Sequence, residues 1–244
     1  MKIVAIIPAR GGSKRVSGKN LSEMCGVPML NWTIWASLDA GLETWVSTDD
    51  RDTALIAEGA GAFVHLRPAH LATDEAAIEP VIEDMLAGCS YDALMLLQPT
   101  SPLRNESHIR DAVIALESNS CDSVVSVVPD PGAFFLWTTN DDADGQPLYK
   151  VRPRTQDLST LYRENGAIYG TTRSAWEKSK NRLSGKTVLI DMPPWASVDV
   201  DTMDDLEVAR FWMLRELMRR NSVYARAARW MQRADTIPAP SLKP

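Results

Sequence analysis

Residues 2–20 read Lys-Ile-Val-Ala-Ile-Ile-Pro-Ala-Arg-Gly-Gly-Ser-Lys-Arg-Val-Ser-Gly-Lys-Asn, and the rest of the chain is organised around this stretch. An uninterrupted apolar run rich in β-branched residues predicts a buried parallel strand, and Pro8 followed by Gly11-Gly12 ends it in a tight loop. A loop at the carboxyl end of a central strand is where open α/β sheets bind their ligands. Gly11, Gly12 and Gly18 let backbone amides approach a ligand closely, while Arg10, Lys14, Arg15 and Lys19 place four cations within ten residues. In a chain of net charge −6, that concentration marks a polyphosphate site. A solvated basic turn would explain the charge but neither the glycines nor the strand before them. The spacing is not that of the P-loop, because five residues separate Gly12 from Gly18 and Asn20 stands where a hydroxyl would hold magnesium. It is not the dinucleotide fingerprint either.

Strand and helix signals then alternate. Pro28 suits the first turn of a helix through Met29, Leu30, Trp32, Ile34 and Trp35. Thr44–Ser47 is a short strand, followed by a helix from about 51 to 59, a strand near Phe63, a helix from about 75 to 87, and a strand over Ala93–Leu97. Such alternation implies a parallel sheet in three layers. At the same sheet edge, Gln98-Pro99-Thr100-Ser101 forms a polar loop after a buried strand, before a helix near Glu106. Ser123–Val128 is a further buried strand.

The first loop, Pro8 to Arg15 with Gly18-Lys19-Asn20, resembles the nucleotide motif of the cytidylyltransferases that make CMP-sialic acids and related CMP-sugars; enzymes acting on Kdo share a shorter version. The resemblance covers residues 2 to about 208. It implies a three-layer Rossmann-like nucleotidyltransferase fold, α/β with a mainly parallel sheet. The loop would wrap the phosphates of CTP through Arg10, Gly11, Ser13, Lys14, Lys19 and Asn20. Ser47-Thr48-Asp49 matches a family segment near the nucleotide, although Thr and Asp there also suit a capped helix start. Arg67-Pro68 with Leu71-Ala72 and Asp74 matches another, which implies Arg67 against cytosine or its ribose. Gln98, and Asn165 in Asn165-Gly166-Ala167-Ile168-Tyr169, are implied sugar contacts.

Between 130 and 162 the sequence turns polar, with Phe134–Trp137 and Leu148–Val151 flanking the turn signals of 140–145; this predicts an inserted hairpin. An aromatic hairpin of this size cannot bury itself and needs a partner surface. The resemblance implies a homodimer in which the insertion reaches the second subunit's sugar pocket. Arg154 and Gln156 match an Arg-x-Gln-x-Leu pattern whose arginine meets the substrate carboxylate; a salt-bridged surface arginine is the competing reading. Where relatives carry His-Pro, this chain has Gly132-Ala133-Phe134-Phe135. That apolar replacement suits either the deoxy and acylamino substituents of legionaminic- or pseudaminic-type sugars, in place of a more hydroxylated sialic acid, or aromatic packing in the dimer contact.

In Ser197-Val198-Asp199-Val200-Asp201-Thr202, alternation along an extended segment sets Asp199 and Asp201 on one face. Two adjacent carboxylates repel unless a cation sits between them, and Mg²⁺ prefers carboxylates plus substrate phosphates. A helix start with Thr202 as cap accounts for Asp204 and Asp205 but not for the alternation. The family places its metal, Mg²⁺ or Mn²⁺, at these two aspartates. The implied catalytic residues are Arg10, Lys19 and Asp201. From Met203 to about Ala234 a helix is predicted, carrying seven arginines between Arg210 and Arg233 against the single acid Glu216. A packed helix with a solvated face is preferred over a membrane or partner surface.

Length and composition fit one domain over 1–236, with a disordered tail over 237–244. No stretch reaches the apolar length of a membrane span, and the strand begins too early for a signal peptide, so a cytoplasmic protein is expected. Three cysteines without a paired spacing argue against disulfides and structural zinc, and the acidic charge argues against nucleic acid. The resulting expectation is transfer of CMP from CTP to the anomeric hydroxyl of a nine-carbon sialic-acid-type keto-sugar acid, with release of pyrophosphate. Rivals are a nucleotidyltransferase for a Kdo-like acid sugar and a silent nucleotide-sugar-binding protein.

Overall fold

The computed structural model describes residues 1–12, 18–118, 120–139, 144–217, 227 and 229–231. Strand β1 (Ile3–Pro8) leads to a small antiparallel pair, β2 (Glu23–Met24) and β3 (Val27–Pro28), and then to helix α1 (Met29–Asp39). Next come β4 (Glu43–Thr48), α2 (Arg51–Ala60), β5 (Phe63–Leu66), α3 (Ile78–Leu86), β6 (Ala93–Leu97), α4 (Glu106–Glu117) and β7 (Ser123–Pro129). An insertion holding β8 (Trp137–Thr139) and β9 (Gly145–Pro147) precedes β10 (Tyr162–Thr172), α5 (Arg173–Ser179), β11 (Thr187–Asp191) and α6 (Met203–Leu217).

Seven strands form one sheet in the order β11-β7-β10-β6-β1-β4-β5. All run parallel except β10, which is antiparallel to both β6 and β7. The exception follows from the insertion: the chain leaves β7 at the carboxyl edge and returns there, so the next strand must run back. The alternation of side chains explains the three layers. Ile3, Ala5 and Ile7 of β1 and Ala93, Met95 and Leu97 of β6 face a core shared with α1, α2, α4 and α6. Val4, Ile6, Leu94 and Leu96 face the other, with Ile82 and Met85 of α3 and Trp176 of α5. Apolar demand on both faces is why β1 and β6 read as continuous hydrophobic runs.

Three helix starts at the carboxyl edge are fixed by side-chain caps. Asp50 accepts from Thr53 N at 2.8 Å to start α2, and Asn105 forms a capping box with His108 at α4. At α6, Thr202 Oγ1 accepts from Asp205 N (3.2 Å) while Asp205 Oδ2 accepts from Thr202 N (2.8 Å), the reciprocal pair of a capping box. The insertion stands apart from this packing. Leu136, Trp137, Leu148 and Tyr162 are exposed, and Val151 is 83% exposed. The expected hairpin is present but short: only β8 and β9 pair, while Phe134 and Phe135 lie in a 3-10 turn over Pro131–Phe135. The expected tail over 237–244 lies outside the described residues. No described helix is long and apolar enough to cross a membrane.

Candidate active site

The loops after β1, β4, β5 and β6 meet at one edge of the sheet, where hydrogen bonds knit them together. Ala9 N extends the β1–β4 ladder by donating to Ser47 O at 2.9 Å. Gly11 N then donates to Asp49 Oδ1 at 3.0 Å. A Cβ on Gly11 would lie 2.6 Å from Asp50 Cβ, a separation no real side chain tolerates, so glycine is required by close approach. Asn20 is buried and its Nδ2 donates to Arg10 O at 3.1 Å, closing the far end of the loop onto its start. Ser13 and Lys14, both expected on the triphosphate, lie outside the described residues.

Arg10 Nη1 meets Asp74 Oδ1 at 2.5 Å, linking the first loop to the segment after β5. Arg67 is only 8% exposed; its Nε donates to Ser47 Oγ (3.2 Å) and its Nη2 to Ser47 O (3.0 Å). Burial pushes the Arg67 guanidinium below the ordinary arginine value; Asp49 opposes that shift and the neighbouring Arg10 reinforces it. Arg10 and Arg67, with Pro8, Thr73, Asp74 and Ala76, line an open cleft of about 240 Å³. Two guanidiniums facing one cleft suit an anionic ligand.

On the other side of the loop, Lys19 Nζ donates to Val200 O at 2.8 Å and to Asp201 Oδ1 at 3.0 Å. Val200 is buried, and its N donates to Thr100 O at 2.8 Å. One residue thus joins three sequence-distant segments: the glycine loop, the Gln-Pro-Thr-Ser loop and the Val-Asp-Val-Asp segment. With Val200 turned inward, Asp199 and Asp201 point outward, Asp199 being exposed and Asp201 half-buried. Among the described residues no group of three or more His, Cys, Asp or Glu side chains could hold a metal by itself. Asp199, exposed, and Asp201, half-buried and paired with Lys19, nevertheless fit Mg²⁺, which binds through one or two carboxylates and completes its shell with water and phosphate.

The sugar side departs from expectation at Asn165. Its side chain is inside the protein: Oδ1 accepts from Ser126 Oγ (2.6 Å) and Ala167 N (3.2 Å), while Nδ2 donates to Ser197 Oγ (3.0 Å) and approaches Met192 Sδ (3.4 Å). These bonds fill an irregularity where the β10–β7 register jumps from Glu164↔Val127 to Tyr169↔Val125. Gly166, at φ +74°, makes the bend, so the Asn-Gly turn signal marks a bulge inside a strand. Gln98 is half-buried, and its Nε2 lies 3.8 Å from where a Cβ on Gly166 would be. Asn165 therefore shapes the backbone beside Gln98.

Arg154 and Gln156 lie exposed in the insertion, in and beside a 3-10 turn over Thr155–Asp157. Asp157 takes the Arg154 guanidinium through two bonds of 2.7 and 3.1 Å. Sequence reasoning passed over Arg104, 2% exposed, whose Nη1 bridges Gln98 O (3.1 Å) and Ala167 O (2.8 Å). Burial pulls its pKa down to about 9. Its place at the end of the Gln-Pro-Thr-Ser-Pro-Leu-Arg run was the available signal. Tyr169, pushed up to about 12 by burial and then by Glu164, also feels Asp199.

A glycine loop, two guanidiniums and a carboxylate pair at the carboxyl edge of a mixed α/β sheet define a nucleotidyltransferase-like site. The cytidylyltransferase family model matches residues 4–173. The chain is 36% identical over 241 residues to CMP-N,N'-diacetyllegionaminic acid synthase of Legionella pneumophila, covering 91% of this chain and 98% of that one. It is 34% identical over 219 residues to N-acylneuraminate cytidylyltransferase B of Danio rerio, covering 86% of this chain and 51% of the relative. A Streptococcus agalactiae N-acylneuraminate cytidylyltransferase is 35% identical over 213 residues, 84% of this chain and 52% of that one. The chain thus spans about half the length of these last two relatives. In structure it resembles CMP:2-keto-3-deoxy-manno-octonic acid synthetase complexed with CTP, with a TM-score of 0.69 and 20% identity over 89% of this chain and all of that one. The chain belongs to the cytidylyltransferase family.

Proposed function

We propose that this protein transfers CMP from CTP to the anomeric hydroxyl of a sialic-acid-type nine-carbon keto-sugar acid. The observation that carries the reading is the junction at Val200, where Lys19 of the glycine loop meets the Thr100 loop and Asp201. Arg10, Lys14 and Lys19 hold the triphosphate, with Ser13 and the Gly11 backbone beside them, and Arg67 lies against the nucleoside. Phosphoryl-type transfer needs positioning and charge neutralisation more than covalent help from the protein. The sugar hydroxyl attacks the α-phosphorus in line, the bond from that phosphorus to the β-phosphate oxygen breaks, pyrophosphate departs, and the hydroxyl proton passes to solvent. Asp199 and Asp201 would hold Mg²⁺, which when bound neutralises charge on the phosphates.

On the sugar, the apolar Gly132–Phe135 segment and the 36% identity to a synthase of CMP-N,N'-diacetyllegionaminic acid favour a deoxy, acylamino substrate. Gln98 contacts the ring, and Arg154 reaches the carboxylate, with Gln156 beside it on the sugar, from the insertion of a second subunit. The exposed Leu136, Trp137, Leu148 and Val151, gathered on one short insertion, support that homodimer, because large apolar side chains exposed together suit a partner surface. Steady-state pyrophosphate release with each nucleoside triphosphate and a panel of keto-sugar acids tests the reading. Turnover specific to CTP with legionaminic- or pseudaminic-type acids is expected; a clear preference for N-acetylneuraminic acid removes the deoxy-sugar assignment, and no CTP turnover with any member removes the function.

A further inference from the structure

Behind the nucleotide cleft, four side chains from β4, β5, α3 and the segment after β5 form a continuous line. Ser47 of β4 and His65 of β5 are direct cross-strand partners in the parallel ladder. His65 Nε2 lies 3.0 Å from Asp84 Oδ2 of α3, its Nδ1 lies 3.1 Å from Ser47 Oγ, and Ser47 Oγ accepts from Arg67 Nε at 3.2 Å. Ser47 is fully buried and Arg67 nearly so.

Only one arrangement of hydrogens satisfies every member with a neutral imidazole. Asp84 is an acceptor, so His65 Nε2 carries the proton; Nδ1 is then the lone pair. Arg67 Nε can only donate, so the Ser47 hydroxyl hydrogen must point to Nδ1. The chain runs Arg67 Nε–H to Ser47 Oγ–H to His65 Nδ1, with His65 Nε2–H to Asp84. A second proton on His65 turns Nδ1 into a donor. Ser47 Oγ then faces two N–H donors with no acceptor for its own hydrogen along the line, and a second cation stands behind Arg67. The other charges on Arg67 are Asp49, after β4, and Arg10, after β1. Neither lies on the line, so neither restores the lost acceptor.

We propose that His65 is a positioning residue for the nucleotide: acting through Ser47, it fixes the Arg67 guanidinium at the cleft. This rests on the reading of Arg67 as a nucleotide contact, which the controls isolate. A buried hydrogen bond of this kind carries a several-fold effect.

The test measures CTP binding by calorimetry and separate CTP and sugar KM values, for wild type and for His65→Ala, His65→Asn and Arg67→Met. In His65→Asn the amide oxygen takes the place of Nδ1 as acceptor. His65→Ala is expected to weaken CTP roughly fivefold with the sugar KM unchanged. His65→Asn, which keeps the acceptor, should stay within about twofold of wild type. Wild-type CTP affinity in His65→Ala, with loss in Arg67→Met, overturns the relay and leaves the Arg67 reading intact. Unchanged affinity in Arg67→Met overturns both. If His65→Ala does not fold, wild-type CTP affinity in Ser47→Ala, which removes the hydroxyl between His65 and Arg67, overturns the proposal.

Discussion

Replacing Asn165 separates two roles that a polar residue at this edge can have: touching the sugar or holding the backbone that does. In Asn165→Ala the Ala167 N–H, on a residue with no solvent exposure, loses its acceptor and bears the full cost of an unsatisfied buried donor, about 1–3 kcal/mol. Ser126 Oγ keeps Ile168 O at 3.3 Å, and Ser197 Oγ keeps Pro193 O at 3.2 Å, so these two together add roughly 1 kcal/mol. The expected total is about 2–4 kcal/mol, a fall in Tm of about 4–16 °C for a chain of this size. Thermal unfolding reads this directly, and a cycle with Ser126→Ala should show strong non-additivity, because the two side chains share one bond. The sugar KM should rise in step with the stability loss, since the bulge beside Gln98 relaxes. A variant as stable as wild type that loses only sugar affinity would refute the structural role and return Asn165 to the substrate.

Three further changes probe other joints of the site. Gly11→Ala forces its new Cβ onto Asp50, which cannot retreat without releasing the α2 cap, so CTP affinity should fall more than about tenfold with a modest loss of Tm; unchanged CTP binding would show the loop has room. Lys19→Ala should cost turnover several kcal/mol through lost transition-state charge stabilisation, roughly a hundredfold or more, while Lys150→Ala, exposed in the insertion, costs little; equal small effects would place the triphosphate elsewhere. The Asp205 carboxyl is held below its ordinary value, first by the Thr202 hydroxyl and then by the Thr202 amide. A depressed carboxylate stabilises the fold above its unfolded value, about 3.9, and that contribution is lost as pH falls through the lower native value. The Tm deficit of Asp205→Ala should therefore shrink in acid, and a pH-independent deficit would contradict the cap.

Elements governed by local chemistry were legible in the sequence. Ala93–Leu97 is apolar at every position and is β6 to the residue; the helix read from 51 lies over Arg51–Ala60 because Asp50 caps it. In Ser47–Asp50 the capped helix start is seen, with Asp50 capping α2, while Asp49 holds Gly11 of the first loop. Thr187–Asp191 escaped notice because an edge strand with Leu189 exposed carries little hydrophobic pattern. The direction of β10 was not legible, since it depends on where the insertion re-enters. Arg104, Ser47 and His65 owe their roles to partners up to 63 residues away, which no local spacing encodes. Asn165 shows the opposite limit: its dipeptide signalled the turn at Gly166, but only the register shift reveals that the side chain is spent inside.

The most direct measurement follows the oxygen. The reaction is run with CTP and a keto-sugar acid carrying ¹⁸O at its anomeric hydroxyl, and the products are read by ³¹P NMR and mass spectrometry. Attack by that hydroxyl on the α-phosphorus leaves the label in the sugar–phosphate bridge of a CMP-sugar, with unlabelled pyrophosphate formed in equal amount. Label in the pyrophosphate, or CTP consumed without a CMP-sugar, would contradict cytidylyl transfer at this site.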